Sequence, residues 1–272
     1  MNLDEIKSIL KGYPDEQLLS EIKADTRAGA VKLVVAYEKR LQREQRERER
    51  YQKMCVFENA CNVEGHKLIA GVDEAGRGPL AGPLVIAAVI LQTDVFISGL
   101  NDSKQLTAKK RESLYDEVIK NALAVAVNIV SVSNIDKDNI YKATQDGMQE
   151  VLLQLTPQPT VALVDAMPLH LTTMQTKSII HGDAVSVSIA AASIIAKVTR
   201  DRLMCELAKQ YPMYDWQKNK GYGSAEHMQA IADCGATIWH RRSYEPVKSM
   251  QLAAVDNTEN QLINLVKNGY AD

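Results

Sequence analysis

Eight consecutive apolar residues, Leu84 to Leu91 (LVIAAVIL), constrain the fold of this 272-residue chain more than any other feature. The run is far shorter than the ~20 residues a membrane span requires. It is also too uniformly apolar for a strand with one face in water, so it reads as a strand covered on both faces. Residues 68–72, 124–132, 161–165 and 178–181 read as further short strands. Helical spacing occupies residues 136–155 and 185–211. That order predicts an α/β fold in which strands pair first as a meander and then run parallel, joined by helices. The expected product is one mixed five-stranded sheet flanked by helices.

Residues 1–66 have a different texture, with twelve basic and twelve acidic residues. Within them the stretch YEKRLQREQRERERYQK (37–53) interleaves glutamate with arginine at helical spacings. Upstream, Ile6, Ile9, Leu10, Leu18, Leu19, Ile22, Val31, Val34 and Val35 recur with a helical period. Two or three helices are expected, broken near residues 12–14 and 28–29, the last running towards Gly65. Because glutamate cancels arginine along the run, a solvated appendage fits it better than a nucleic-acid clamp. The expected organisation is a small, highly charged helical extension over 1–66 and an α/β domain with a helical C-terminal part over 67–272.

The whole chain carries 32 basic and 34 acidic residues, so any contact with nucleic acid falls to a local patch. Aromatic residues, at 5%, exclude a broad stacking surface. Asp4 and Glu5 stand where a secretory signal carries lysines, and no cleavage-site pattern follows. Cys55, Cys61, Cys205 and Cys234 form neither a disulfide framework nor a C-x-x-C metal pair. Reduced thiols and a cytoplasmic setting are expected.

Chemistry concentrates in three places. Asp73 and Glu74 close a buried strand, where two carboxylates are unfavourable unless a positive group meets them. Neighbours on a regular strand point to opposite faces, so both can line one site only if the strand ends there. Ala75-Gly76-Arg77-Gly78 supplies such an ending, and its glycines let backbone N–H groups approach a ligand. Asp165 closes another buried strand, at the sheet end where ligands gather in open α/β folds. Asp183 precedes a helix whose Ala190, Ala191, Ala192, Ser193 and Ala196 form a small-residue face able to approach the sheet. A turn or a helix cap also explains Asp165 and Asp183. Brought together, four carboxylates repel and call for cations; oxygen ligands point to Mg²⁺ or Mn²⁺ and to two-metal hydrolysis of a phosphodiester. Beside them, Tyr214, Trp216, Lys218, Lys220 and Tyr222, then Trp239, His240, Arg241 and Arg242, read as two patches of rings and cations suited to nucleic acid.

Five segments in one order, at 73–83, 101–106, 190–198, 220–223 and 240–247, resemble bacterial ribonuclease HII, of the type 2 ribonuclease H family. The resemblance spans roughly residues 67–250. It implies an RNase H-like fold and a metal-dependent endonuclease that cuts the RNA strand of RNA/DNA hybrids. It also implies cutting 5′ of single ribonucleotides embedded in duplex DNA, as in ribonucleotide excision repair, with 3′-hydroxyl and 5′-phosphate ends. By the same resemblance Asp73, Glu74, Asp165 and Asp183 hold two divalent ions, Mn²⁺ or Mg²⁺, with substrate. Gly76, Arg77 and Gly78 sense the ribose 2′-hydroxyl, Tyr222 stacks on the sugar next to the cut, and Lys104 and Lys197 meet phosphates. A monomer without membrane association is expected. The sister family, ribonuclease HIII, carries a β-rich extension; the helical leader here, and Tyr222 between two glycines, favour HII. A resolvase of the same fold would have no use for a 2′-hydroxyl sensor, and a binding protein with a structural cation is the non-catalytic alternative.

Overall fold

The computed structural model describes residues 1–249; the remainder of the expected 67–272 domain lies outside the described residues. Two compact units divide the chain, Met1–Lys53 and a second beginning at Met54. In the first, α1 (Leu3–Ile9) starts on a capping box between Asn2 and Glu5, and α2 (Glu16–Lys23) starts on Asp15, which accepts from Leu18 N at 2.8 Å. These pack with α3 (Ala28–Met54) around Ile6, Leu10, Ile22, Ala30 and Tyr37. Arg40 ties α3 to the α1–α2 turn, donating to the carbonyls of Lys11 and Gly12 at 2.6 and 2.7 Å. The expected break at residues 28–29 falls earlier: Ala28 opens α3, and Gly29 lets Leu3 approach. The charged helix also ends sooner than expected, at Met54, with a separate α4 (Val56–Val63) before Gly65.

The second unit holds the sheet, in the order β3-β2-β1-β4-β5. Its strands are β1 (Ile69–Ala75), β2 (Leu84–Leu91), β3 (Ala122–Val130), β4 (Val161–Asp165) and β5 (Gln175–Ile179). β1–β2 and β2–β3 are antiparallel, β1–β4 and β4–β5 parallel, the predicted meander followed by parallel strands. Between β2 and β3 lies α5 (Ala108–Asn121), which the apolar spacing did not reveal. The single helix expected over 136–155 is two, α6 (Val132–Asp138) and α7 (Ile140–Gln154), because Asn139 takes a left-handed φ of 66° and caps the second. Past β5 come α8 (Gly182–Val185), α9 (Val187–Gln210), α10 (Trp216–Asn219) and α11 (Ala225–Cys234). Ser186 separates α8 from α9 by capping the latter through Ile189 N at 3.2 Å.

The uniform apolarity of β2 follows from its position. Leu84, Ile86, Ala88 and Ile90 pack with Met148, Val151 and Leu152 of α7, while the alternate residues face α9 across the sheet. No helix of the described residues is long and apolar enough to cross a membrane.

The closest approach of helix to sheet is at Gly71 of β1, where a Cβ would lie 2.0 Å from the carbonyl carbon of Ser188. Gly71→Ala should therefore force α9 away from the sheet and destabilise the protein by about 3 kcal/mol or more, read by urea denaturation. A loss below about 1 kcal/mol would show that the helix yields freely.

Candidate functional site

β1 and β4 run parallel with Val72 opposite Val164, so Asp73 and Asp165 sit side by side at the carboxyl ends of adjacent strands. Alternation puts both carboxylates on the α9 side of the sheet. α8 brings in the third: His181, left-handed at φ 56°, turns the chain, and Gly182 donates its N–H to Asp165 Oδ1 at 2.7 Å. Carboxylate oxygens of Asp73, Asp165 and Asp183 then lie within 4.8 Å of one another. Ser193, on the small-residue face of α9, hydrogen-bonds Asp73 and meets Ser103 Oγ at 2.8 Å.

Crowding shows in the acidities. Burial, then the negative charges of Glu74 and Asp165, hold Asp73 well above the usual carboxylate range. Burial and the charge of Asp102 raise Asp183, against the ammonium of Lys104, whose Nζ is 3.4 Å from Asp183 Oδ2. The group offers only oxygen ligands, with no imidazole or thiolate among the described residues of the cluster. Such an anionic cup suits a hard divalent cation.

Glu74 is not brought in with the other three. β1 does not end at Asp73, as one site lined by both carboxylates would require; two further rungs, Glu74 opposite Ile86 and Ala75 opposite Val85, carry it on. Regular pleating points the Glu74 Cβ away from that of Asp73, and its Oε1 lies 3.5 Å from Arg77 Nη1, while Asp165 and Lys104 stay within electrostatic reach. Its own acidity is lowered chiefly by burial, with Asp165 adding and Arg77 opposing. Lys197 also stands apart, its ammonium 2.6 Å from Asp201 one turn along α9.

Between β1 and β2 the chain passes through Gly76-Arg77-Gly78, where the carbonyls of Gly76 and Arg77 are held from the interior. Arg241, fully buried, donates to the carbonyls of Gly76, Arg77 and Gly82 at 2.5–3.1 Å. Tyr244 Oη adds a second bond to Arg77 O at 2.6 Å. Arg200, also buried, holds the carbonyls of Ala81, Pro83 and Lys220 at 2.9–3.1 Å. The N–H groups of Gly76, Arg77 and Gly78 meet no protein acceptor among the described residues. Gly78 faces the half-exposed Tyr222 ring, whose Cε1 would be 3.8 Å from a Cβ there.

The two expected surface patches are largely interior. Trp216, Tyr214, Trp239, His240 and Arg241 are buried, because they form the support beneath the loop and Tyr222; Lys218, Tyr222 and Arg242 remain exposed. A chain of hydrogen bonds sets the tautomers of the two imidazoles in that support. Thr237 N donates to His240 Nδ1 at 2.9 Å, which leaves the proton on His240 Nε2 to reach His227 Nε2 at 3.1 Å. His227 Nε2 also accepts from Trp216 Nε1 at 3.0 Å, so its Nδ1–H donates to Tyr222 O at 2.8 Å. Burial, then the neighbouring His227, pushes His240 down to about 3, keeping the relay neutral. Arg200 and Tyr244 were not singled out in the sequence, and Arg241 was read only as part of a surface patch. The available signal was a loop of glycines and prolines, whose backbone acceptors have no local side chains to meet them.

A family model described as Ribonuclease HII matches residues 70–247, and one described as Ribonuclease HII N-terminal domain matches residues 3–62. A Geobacillus sp. (strain WCH70) protein named Ribonuclease HII is 47% identical over 248 residues, covering 90% of this chain and 89% of that one. A Bacillus cereus (strain B4264) protein of the same name is 48% identical over 255 residues, covering 92% and 98%. Among solved structures, ribonuclease H2 from Pyrococcus horikoshii OT3 superposes with a TM-score of 0.58 at 28% identity, covering 67% of this chain and 96% of that one. Bst-RNase HIII in complex with Mn²⁺ shares the fold, with a TM-score of 0.54 at 16% identity, over 74% and 70%.

The raised pKa of Asp73 gives a sign to test. A carboxyl whose pKa is higher folded than unfolded contributes stability below its unfolded pKa and loses it as pH rises through the folded one. Asp73→Asn escapes that loss, so in chelator it should melt above wild type at about pH 7 and converge with it towards about pH 4. Mn²⁺ should raise the wild-type Tm and leave Asp73→Asn nearly unmoved. Equal melting of the two metal-free proteins at neutral pH would overturn the repulsion account.

Proposed function

The chain belongs to the ribonuclease HII family, which makes it a metal-dependent ribonuclease H, and we propose that it cuts RNA/DNA hybrids and also 5′ of single ribonucleotides in duplex DNA. Residues 67–272 are the catalytic part in this reading and 1–66 a helical appendage, the enzyme working as a cytoplasmic monomer. One observation carries it: three carboxylates, those of Asp73 and Asp183 buried and that of Asp165 half-buried, crowd within 4.8 Å, beside a glycine loop with unclaimed N–H groups.

In the proposed site Asp73, Asp165 and Asp183 would hold divalent cations, Mn²⁺ or Mg²⁺. Glu74 is the fourth ligand; the charge of Asp165 already acts on it, which supports a short side-chain rotation from Arg77. Two such ions, when bound, would supply an activated water and neutralise the leaving oxygen, giving 3′-hydroxyl and 5′-phosphate ends. The chain itself does the selecting. Gly76, Arg77 and Gly78 present N–H donors to the ribose 2′-hydroxyl, the only handle separating RNA from DNA at a fixed position. A deoxynucleotide leaves those donors unpaired, the stronger form of rejection. Tyr222 lays its exposed ring on the sugar beyond the cut and so reads the RNA-to-DNA step. Lys104, exposed beside Asp183, meets the backbone phosphate, with Lys197 further along α9.

A labelled duplex with one embedded ribonucleotide should be cut on its 5′ side with Mn²⁺ or Mg²⁺, and not in chelator; all-DNA duplex should survive. Asp73→Asn should lower kcat on the order of a hundredfold or more. Tyr222→Ala should spare long hybrids while cutting the embedded ribonucleotide about tenfold more slowly. Hybrids cut with the single ribonucleotide left intact would sink the junction reading.

A further inference from the structure

The Gly76–Gly78 segment contains no side chain that could orient its own peptides. Two glycines flank an arginine whose guanidinium points to Glu74. What orients them is on the far side: the Arg241 guanidinium grips Gly76 O and Arg77 O, and the Tyr244 hydroxyl grips Arg77 O again. A trans peptide is planar, with its C=O and the following N–H directed oppositely. Fixing Gly76 O therefore aims the Arg77 N–H outward, and fixing Arg77 O aims the Gly78 N–H outward. Arg200 seats the same loop from below: Gly76 has φ +103°, and a Cβ there would lie 2.1 Å from Arg200 Nε.

Two buried guanidinium groups are a poor choice if the loop needs only stability. Neither contacts a carboxylate among the described residues; both spend their N–H groups on carbonyls. Burial and mutual repulsion bring Arg200 down to about 10, and Arg241 is lowered as well, chiefly by burial. Apolar residues of similar volume commonly do as well or better for stability. A rigid fork of five donors with no acceptor does what they do not, which is to fix several carbonyls at once.

We propose that Arg241, with the Tyr244 hydroxyl, is the positioning device for ribose recognition: it sets the direction in which the Arg77 and Gly78 N–H groups meet the 2′-hydroxyl. The inference rests on the ribose-sensing reading of this loop. Arg241 touches no reacting atom; it acts through the backbone it holds. Tyr244 is the finer control, since its hydroxyl carries one bond to the loop and its ring also lies 5.1 Å from the Arg241 guanidinium carbon.

The test uses the full chain with Mn²⁺ and compares wild type, Arg241→Lys and Tyr244→Phe. On duplexes carrying one ribonucleotide, and on long hybrids, kcat/KM should fall about fivefold for Tyr244→Phe and about fiftyfold for Arg241→Lys, which keeps the charge but loses the fork. Binding of all-DNA duplex, measured in chelator, should stay within about twofold, and the Tm of Tyr244→Phe within a few degrees. Weaker all-DNA binding in step with lost cleavage would mean a general structural role and overturn the proposal. Unchanged kcat/KM for Tyr244→Phe would do so too, even if Arg241→Lys fails to fold. If wild type cuts hybrids but leaves the embedded ribonucleotide intact, the junction reading fails alone, and the hybrid rates still decide on Arg241.

Discussion

Repulsion among Asp73, Asp165 and Asp183 is the constraint around which the second unit is built. Left to themselves, three carboxylates would separate into water; here they are fixed by main-chain architecture from three directions. The β1–β4 register sets two of them side by side, and the left-handed turn at His181 delivers the third. α9 closes the space behind, which is possible only because Gly71 lets Ser188 come into backbone contact and because Ala190, Ala191 and Ala192 add little bulk. The fold holds the negative charges close, and burial with their mutual repulsion keeps Asp73 well above the usual carboxylate range.

Much of this was legible in the sequence, for identifiable reasons. LVIAAVIL admits one interpretation, a strand covered on both faces, and it stands between β1 and β3 with α7 and α9 on either side. Asp73, Asp165 and Asp183 could be located because each follows an apolar strand or precedes a small-residue helix. Glu74 could not be placed, since whether it faces the cluster depends on two rungs of pairing with β2 that no local signal announces. α5 was hidden because its buried face amounts to Leu114, Tyr115 and Val118. Trp239, His240 and Arg241 read as surface because the segment carries two arginines, and charged side chains usually lie there; the burial of Arg241 is decided by carbonyls far along the chain, at positions 76, 77 and 82. Local pattern reveals what a segment can do, and tertiary hydrogen bonding decides which way a polar residue turns.

The support under Tyr222 works on the same principle as the loop beside it. In both, a buried polar side chain takes hold of a backbone carbonyl and so governs an exposed group it does not touch: Arg241 through Gly76 and Arg77, His227 through Tyr222. Rigidity is thus placed beneath the surface, and the groups left facing outward need no bonds of their own to stay in place.

The three clustered carboxylates come from β1, β4 and α8, with Asp73 and Asp183 more than a hundred positions apart in the chain. No contiguous segment contains the set, and β1 reaches β4 only after β2, β3 and the helices α5, α6 and α7 have been made. During synthesis from the amino terminus, then, an emerging chain has no cleft in which to gather cations until α8 has left the ribosome and docked. A half-made nuclease is silent, and competence arrives late and all at once, with closure of the sheet.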